Sequence, residues 1–141
     1  NFGNHVEKRL IEISENINAK GFIHYQNEAL GTAHAVYCAK DALENEVIIA
    51  FADTLFVGNM KIDARNEAII WTLQVNNPEN YGVVLTNKEN IITDFVEKPK
   101  DYVSDKAIIG IYYFKKAEIL KEKIKNDPFI WPKHEPFPVD K

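Results

Sequence analysis

Apolar positions recur at helical spacing near the start of the chain: Val6, Leu10, Ile13 and Ile17 share one face, with Glu7, Lys8, Arg9 and Glu12 between them. That pattern predicts an amphipathic helix over residues 4 to 17. After Gly21, the run Phe22, Ile23, His24, Tyr25 predicts a short strand ending near Gln26. Gly31 to Leu43 then carries a face of mostly small residues, Ala33, Ala35, Val36, Ala39, Ala42 and Leu43. It predicts a helix packed closely on a sheet, with Thr32 as a candidate N-cap. The pattern changes at Glu46. Val47 to Ala52 is unbroken apolar and of strand length, and Asp53 follows at once. Such a run predicts a strand buried on both faces, as in a parallel sheet between helix layers. Ligands of open α/β sheets bind beyond the carboxyl ends of such strands, which puts Asp53 where chemistry is usually done.

Further along, Lys61 to Arg65 predicts a short helical turn and Ala68 to Val75 a strand rich in β formers, broken by Asn76, Asn77 and Pro78. Tyr81 to Thr86 and Ile91 to Glu97 are strand-like runs joined by Asn87, Lys88, Glu89 and Asn90, so a hairpin is expected, ended by Pro99. Ala107 to Phe114 predicts a last strand, followed by a helix carrying Ala117, Leu120 and Ile124. The order is αβαβ, several strands, then α. It predicts a mixed α/β sheet, parallel first and with an antiparallel hairpin later. Residues 1–126 read as one domain. The segment 127–141, with Pro128, Pro132, Pro136 and Pro138, cannot continue the helix and reads as an extended tail or the remnant of a discontinuous segment.

Composition narrows the function classes. The 141 residues are 45% hydrophobic and 27% charged, which suits one globular domain with a sizeable core. No run approaches the roughly 18 apolar residues of a membrane-spanning helix. The single cysteine, Cys38, excludes an intrachain disulfide, so a reducing cytoplasm is the expected compartment. A net charge of -4 with interspersed signs argues against a nucleic-acid surface, though not against a single nucleotide.

Individually, the candidate residues have plain alternatives. A Gly-Thr pair before a helix offers free backbone N–H groups but usually just starts the helix. An aspartate after a strand is often a loop or capping residue, and Glu97-Lys98-Pro99 alone is a solvated strand end. His34 is within reach of a ligand but reads first as a helix-surface or interface histidine, and Cys38 as a small packed residue, while His5, His24 and His134 are too scattered for a zinc site.

Their order says more. Q-x-E-x-LGTAHAV from Gln26, FADTLF around Asp53, NPENYGVV, FVEKP and S-x-x-AIIGIYYF follow one another between Gln26 and Phe114. In these blocks the chain resembles the sugar-phosphate nucleotidyltransferases, the family of glucose-1-phosphate thymidylyltransferase and mannose-1-phosphate guanylyltransferase. The resemblance implies a Rossmann-like three-layer α/β/α mixed sheet of the nucleotide-diphospho-sugar transferase type, here incomplete, with residues 1–126 a partial catalytic domain. It implies transfer of a nucleotidyl group from a nucleoside triphosphate to a sugar-1-phosphate, and Mg²⁺ as cofactor. By the same resemblance Gln26, Leu30, Gly31 and Thr32 would hold the nucleotide, and Asp53 would ligate the metal. Tyr81, Gly82, Glu97 and Gly110 would form the sugar site, and Lys98 would face the sugar phosphate, so that Asp53 and Lys98 carry the catalysis.

The chemistry suits those residue types. Nucleotidyl transfer asks mainly for positioning and charge neutralisation. Mg²⁺ takes oxygen ligands, often one or two carboxylates, and a lysine supplies a compact charge for phosphate. Two departures stand out. The family's N-terminal glycine-rich loop with its arginine and following lysine has no counterpart, and Asp140 is a poor match for its second metal-binding aspartate, so this chain alone is expected to be inactive. Ala52 also replaces the family's usual glycine before Asp53. Two other classes are weighed: a non-catalytic sugar-nucleotide-binding module, and a metal-dependent glycosyltransferase, disfavoured because Leu55 stands where Asp-x-Asp would need a second aspartate. Base, sugar and self-association are left open.

Overall fold

The computed structural model describes residues 3–58 and 60–127. The proline-rich segment, with Asp140, lies outside them. The described residues form two compact units, one of residues 44–117 and one of residues up to Leu43 together with those from Glu118.

In the second of these, α1 spans Asn4–Asn16, as its apolar spacing predicts. It ends in a Schellman turn: Asn18 takes φ 55, Asn18 N–H donates to Glu15 O at 3.0 Å, and Ala19 N–H to Ser14 O at 2.8 Å. Asparagine is the non-glycine residue that tolerates this left-handed position best. The chain then passes back against the helix at Gly21, where a Cβ would come within 2.6 Å of Ser14 Oγ. The strand expected at Phe22 to Tyr25 is absent. A β-prone run becomes a strand only with a partner to pair with, and none of the described strands pairs with it.

The next helix, α2, is Thr32–Cys38, shorter than expected, with one 3-10 turn at Lys40–Ala42 carrying the rest of the predicted span. Thr32 is not its N-cap. Gly31 is, with φ 93 and no side-chain cap bond, because an extended left-handed φ leads the chain into the first turn and glycine adopts it freely.

The other unit is a five-stranded sheet of β1 (Val47–Ala50), β2 (Ala68–Gln74), β3 (Gly82–Thr86), β4 (Ile92–Glu97) and β5 (Lys106–Phe114). Every pairing among the described strands is antiparallel. The parallel, doubly buried reading of Val47 to Ala52 is therefore corrected: β1 pairs with β5 from Val47↔Phe114 to Ala50↔Ile111, and its residues alternate half-buried and exposed. An apolar run cannot by itself distinguish the two arrangements.

The nine-residue β5 is the spine. Tyr112, Tyr113 and Phe114 pair with both β1 and β2, so those strands lie on its opposite edges, and Ala107 pairs with both β2 and β3. Hence β1 and β3 share one edge of β5, β1 along its C-terminal end and β3 along its N-terminal end. Consecutive Val83 and Val84 are both buried, which places β3 under cover on both faces, and Ala107, Ile111 and Tyr113 of β5 complete this core. Each such large apolar side chain contributes about 1.5–3 kcal/mol.

The β3–β4 hairpin forms as predicted. Asn87 Oδ1 accepts the N–H groups of Glu89 and Ile91, and Asn90 takes the left-handed φ of 60 that the turn requires. Over residues 61–65 no helix forms; the chain makes a single turn at Ala64 and Arg65, closed by Asn66 N–H to Asp63 O at 2.9 Å. There Arg65 donates to both Asp63 carboxylate oxygens through Nε at 3.0 Å, and the guanidinium holds that carboxyl down at about 2. A depressed folded-state value means that the pair contributes stability above the ordinary carboxylate range and loses it as pH falls through about 2. Arg65→Gln is expected to return the Asp63 carboxyl to its ordinary value in an NMR titration.

Candidate functional site

The site begins where β1 leaves β5. Phe51 N–H donates to Gly110 O at 3.0 Å, the last ladder bond, and Thr54 N–H then donates to Phe51 O at 3.3 Å, so the chain turns out of the sheet carrying Asp53 with it. Further along the same edge, β3 starts at Gly82 and pairs with β5 at Ala107. Between these two points Ile108 and Ile109 have no paired strand residue on that edge. The fork opens a pocket of about 510 Å³ lined by Phe51, Asp53, Thr54, Tyr81, Gly82, Glu97, Gly110 and Tyr112 among others. Ligand sites of sheet proteins favour such points of strand divergence.

Backbone geometry at the pocket depends on two glycines. Gly110 has φ 73, and a Cβ on it would come within 2.9 Å of Phe51 Cδ2. The Phe51 ring thus lies on the bare backbone of β5 and meets the Tyr112 ring at 5.7 Å between centroids. Gly82 pairs with Glu97 across the hairpin, and a Cβ there would come within 2.8 Å of Glu97 Oε2. The glutamate carboxylate therefore lies over Gly82, at the pocket. Lys98 follows with φ 44, and its N–H donates to Tyr81 O at 3.0 Å, which ties the end of β4 to the start of β3.

The sequence-predicted residues divide accordingly. Asp53, Tyr81, Gly82, Glu97 and Gly110 meet in one pocket. Lys98 adjoins Glu97 but is not among the lining residues, and its ammonium pairs with no carboxylate among the described residues. Gln26, Leu30, Gly31 and Thr32 belong to the other unit, where Gln26 Nε2 donates to Gly31 O at 2.9 Å and approaches His34 Nδ1 at 3.0 Å. Ala52 is not among the left-handed residues, so the turn before Asp53 needs no glycine. Phe51 and Tyr112 are lining residues that the sequence reading assigned no site role, although an aromatic two positions before a loop aspartate was the available signal. Burial raises the Tyr112 phenol, which keeps it a neutral hydrogen-bond donor.

An exposed carboxylate whose hydrogen-bond partner is the neighbouring Thr54 hydroxyl, at 3.3 Å, is free to take a cation. No group of three or more metal-ligating side chains exists among the described residues. A lone hard oxygen donor fits Mg²⁺, which keeps several waters and takes most other ligands from phosphates, better than it fits zinc or calcium. The wider groove of about 640 Å³ on residues such as Ile70, Val84, Ile92 and Phe95 suits chemistry less well, since its lysine, Lys106, is already bonded to Thr86 and Asn90.

A family model described as nucleotidyl transferase matches residues 4–130. The chain belongs to the nucleotidyl transferase family. It is 37% identical over 101 residues to the bifunctional protein GlmU of Methanocaldococcus jannaschii, covering 71% of this chain and 25% of that protein. It is 28% identical over 130 residues to the mannose-1-phosphate guanylyltransferase catalytic subunit beta of Drosophila pseudoobscura pseudoobscura, covering 85% and 35% respectively. The chain thus spans about a quarter to a third of these curated relatives. Among solved structures, one assigned as a glucose-1-phosphate thymidylyltransferase of Bacillus anthracis, in complex with sucrose, superposes with a TM-score of 0.69 at 20% identity, covering 89% of this chain and 53% of that one. A UTP-bound UGPase of Acinetobacter baumannii gives 0.60 at 20% identity, covering 92% and 56%. These likenesses show the Rossmann-like α/β fold of the nucleotide-diphospho-sugar transferase type, in line with the sequence reading. As to membranes, none of the described helices is long and apolar enough to cross one.

Proposed function

We propose that the protein transfers a nucleotidyl group from a nucleoside triphosphate to a sugar-1-phosphate. A phosphate oxygen of the sugar-1-phosphate forms a bond to the α-phosphorus in line, the bond from that phosphorus to the bridging oxygen breaks, and pyrophosphate leaves with the bridging oxygen. The observation that carries this reading is the fork on β5, which collects a carboxylate, an aromatic wall and a second carboxylate from three separate stretches of sequence into one pocket. The family match and the relatives' names support it.

In this reading the Glu97 carboxylate accepts hydrogen bonds from sugar hydroxyls while Phe51 and Tyr112 flank the apolar face of the ring. Tyr81 and the bare backbones at Gly82 and Gly110 border the same sugar. Lys98 supplies positive charge to the sugar phosphate, and Gln26 with Leu30, Gly31 and Thr32 holds the nucleotide base. Asp53 would hold Mg²⁺, which when bound neutralises charge on the phosphates. The single cysteine points to a reducing cytoplasm as the compartment.

The test is pyrophosphate release by the full-length protein over a panel of nucleoside triphosphates and sugar-1-phosphates. At least one pair is expected to give turnover that requires both substrates. Tight sugar-nucleotide binding with no pyrophosphate release over the whole panel would instead establish a binding module.

A further inference from the structure

The loop that opens α2 holds a glutamine with both of its donors committed. Gln26 Nε2 donates to Gly31 O at 2.9 Å and lies 3.0 Å from His34 Nδ1. A carbonyl oxygen only accepts, so the end of the Gln26 amide that faces Gly31 is its NH₂ group. With one hydrogen on Gly31, the other meets His34 Nδ1, which must accept it, and the neutral ring then carries its proton on Nε2. The anchor is itself fixed, since Gly31 O also accepts Ala35 N–H at 3.2 Å and so belongs to the first turn of the helix. What remains for a ligand is the Gln26 carbonyl oxygen, on the side of the amide away from both partners.

We propose that His34 is a positioning residue, locking the Gln26 amide so that it offers Oε1 alone and selects a nucleobase whose edge presents an N–H donor to it. This rests on the reading of Gln26 as the base contact. A base edge that presents an acceptor at the same point would face an oxygen, a repulsion that discriminates more than a missing bond does. Without the imidazole acceptor, the second amide hydrogen loses its partner, the amide is held by the Gly31 bond alone, and turning it to offer a donor outward costs less. Selectivity between bases then relaxes even though His34 never touches the ligand.

The experiment is equilibrium binding of UTP, dTTP, GTP, CTP and ATP to the full-length protein, for the wild type, Gln26→Ala, His34→Phe and the double variant. Gln26→Ala is expected to weaken the best-bound triphosphate about tenfold, the scale of one well-placed hydrogen bond in a recognition site. His34→Phe is expected to weaken it about three- to tenfold and to narrow the spread across the five bases, yet to add nothing in the Gln26→Ala background. His34→Asn places an acceptor oxygen near the position of Nδ1 and is expected to restore the wild-type spread. His34→Ala replaces His34→Phe should the phenyl ring prevent folding. An additive loss in the double variant, or an unchanged spread of affinities in His34→Phe or His34→Ala, would overturn the positioning role while leaving the base contact standing. Unchanged affinity in Gln26→Ala would overturn the base contact itself, and the proposal with it.

Discussion

Asp53→Asn is expected to lower turnover of the full-length protein by about 10²- to 10³-fold while leaving its melting curve nearly unmoved, because stabilisation of phosphoryl charge by a held cation is worth several kcal/mol. Two features of the structure separate the effects. Asp53 is exposed in the turn that leaves β1, and its hydrogen bond, from Thr54 Oγ1 to Oδ1 at 3.3 Å, can be kept by an asparagine carbonyl. The substitution therefore changes stability by no more than about 0.5 kcal/mol, as is usual for exposed positions. What it removes is the negative charge that makes the side chain a ligand for a hard cation. A titration of turnover against Mg²⁺, run beside thermal melts, reads both quantities. Wild-type turnover of Asp53→Asn at saturating Mg²⁺ would exclude the metal-binding role.

The second large effect is structural and acts on the same pocket. Gly110→Val is expected to destabilise the fold by about 2–4 kcal/mol, combining a left-handed φ that costs an L-residue roughly 1–2 kcal/mol with overpacking of a core site. Gly110 has the left-handed φ of 73, and the overpacking comes from Phe51, whose Cδ2 would lie 2.9 Å and Cβ 3.3 Å from the new Cβ. The ring's room to retreat is limited by Tyr112, whose ring centroid lies 5.7 Å from that of Phe51. Phe51 lines the pocket proposed for the sugar, so its displacement is expected to raise the KM for sugar-1-phosphate along with the loss of stability. Adding Phe51→Ala removes the steric part and leaves the backbone part, so denaturant melts of the two single variants and the double variant apportion them. A Gly110→Val protein of wild-type stability would contradict the geometry described for β5.

Much of this was legible in the sequence, for reasons that also explain the rest. The helix α1, the hairpin and β5 are set by local signals: a 3.6-residue apolar period, an asparagine-bounded turn, and a β-rich run between polar breaks. The direction of β1 is not local. An apolar run at Val47 to Ala52 reads alike whether its neighbour runs parallel or antiparallel, and only β5, some sixty residues later, decides it. Phe22 to Tyr25 failed as a strand for the same reason, since pairing depends on another segment. At the site, Asp53, Tyr81, Gly82, Glu97 and Gly110 were named from ordered motifs, and the fold brings those five to one fork. Phe51 and Tyr112 were not, because an apolar side chain that walls a pocket has the same local signature as one that fills a core. His34 was read as a surface histidine, and its contact with Gln26 spans a glycine turn whose geometry no periodicity reveals.

The central claim is that the pocket at the fork of β1 and β3 holds the sugar phosphate and not the nucleotide. Its most direct test is the steady-state kinetics of Glu97→Ala in the full-length protein, with each substrate varied at saturation of the other. Loss of a carboxylate that accepts hydroxyl hydrogen bonds is expected to raise the KM for sugar-1-phosphate about tenfold or more, with the KM for the triphosphate within about twofold of wild type. An equal rise in both constants, or a rise confined to the triphosphate, would contradict the assignment of this pocket.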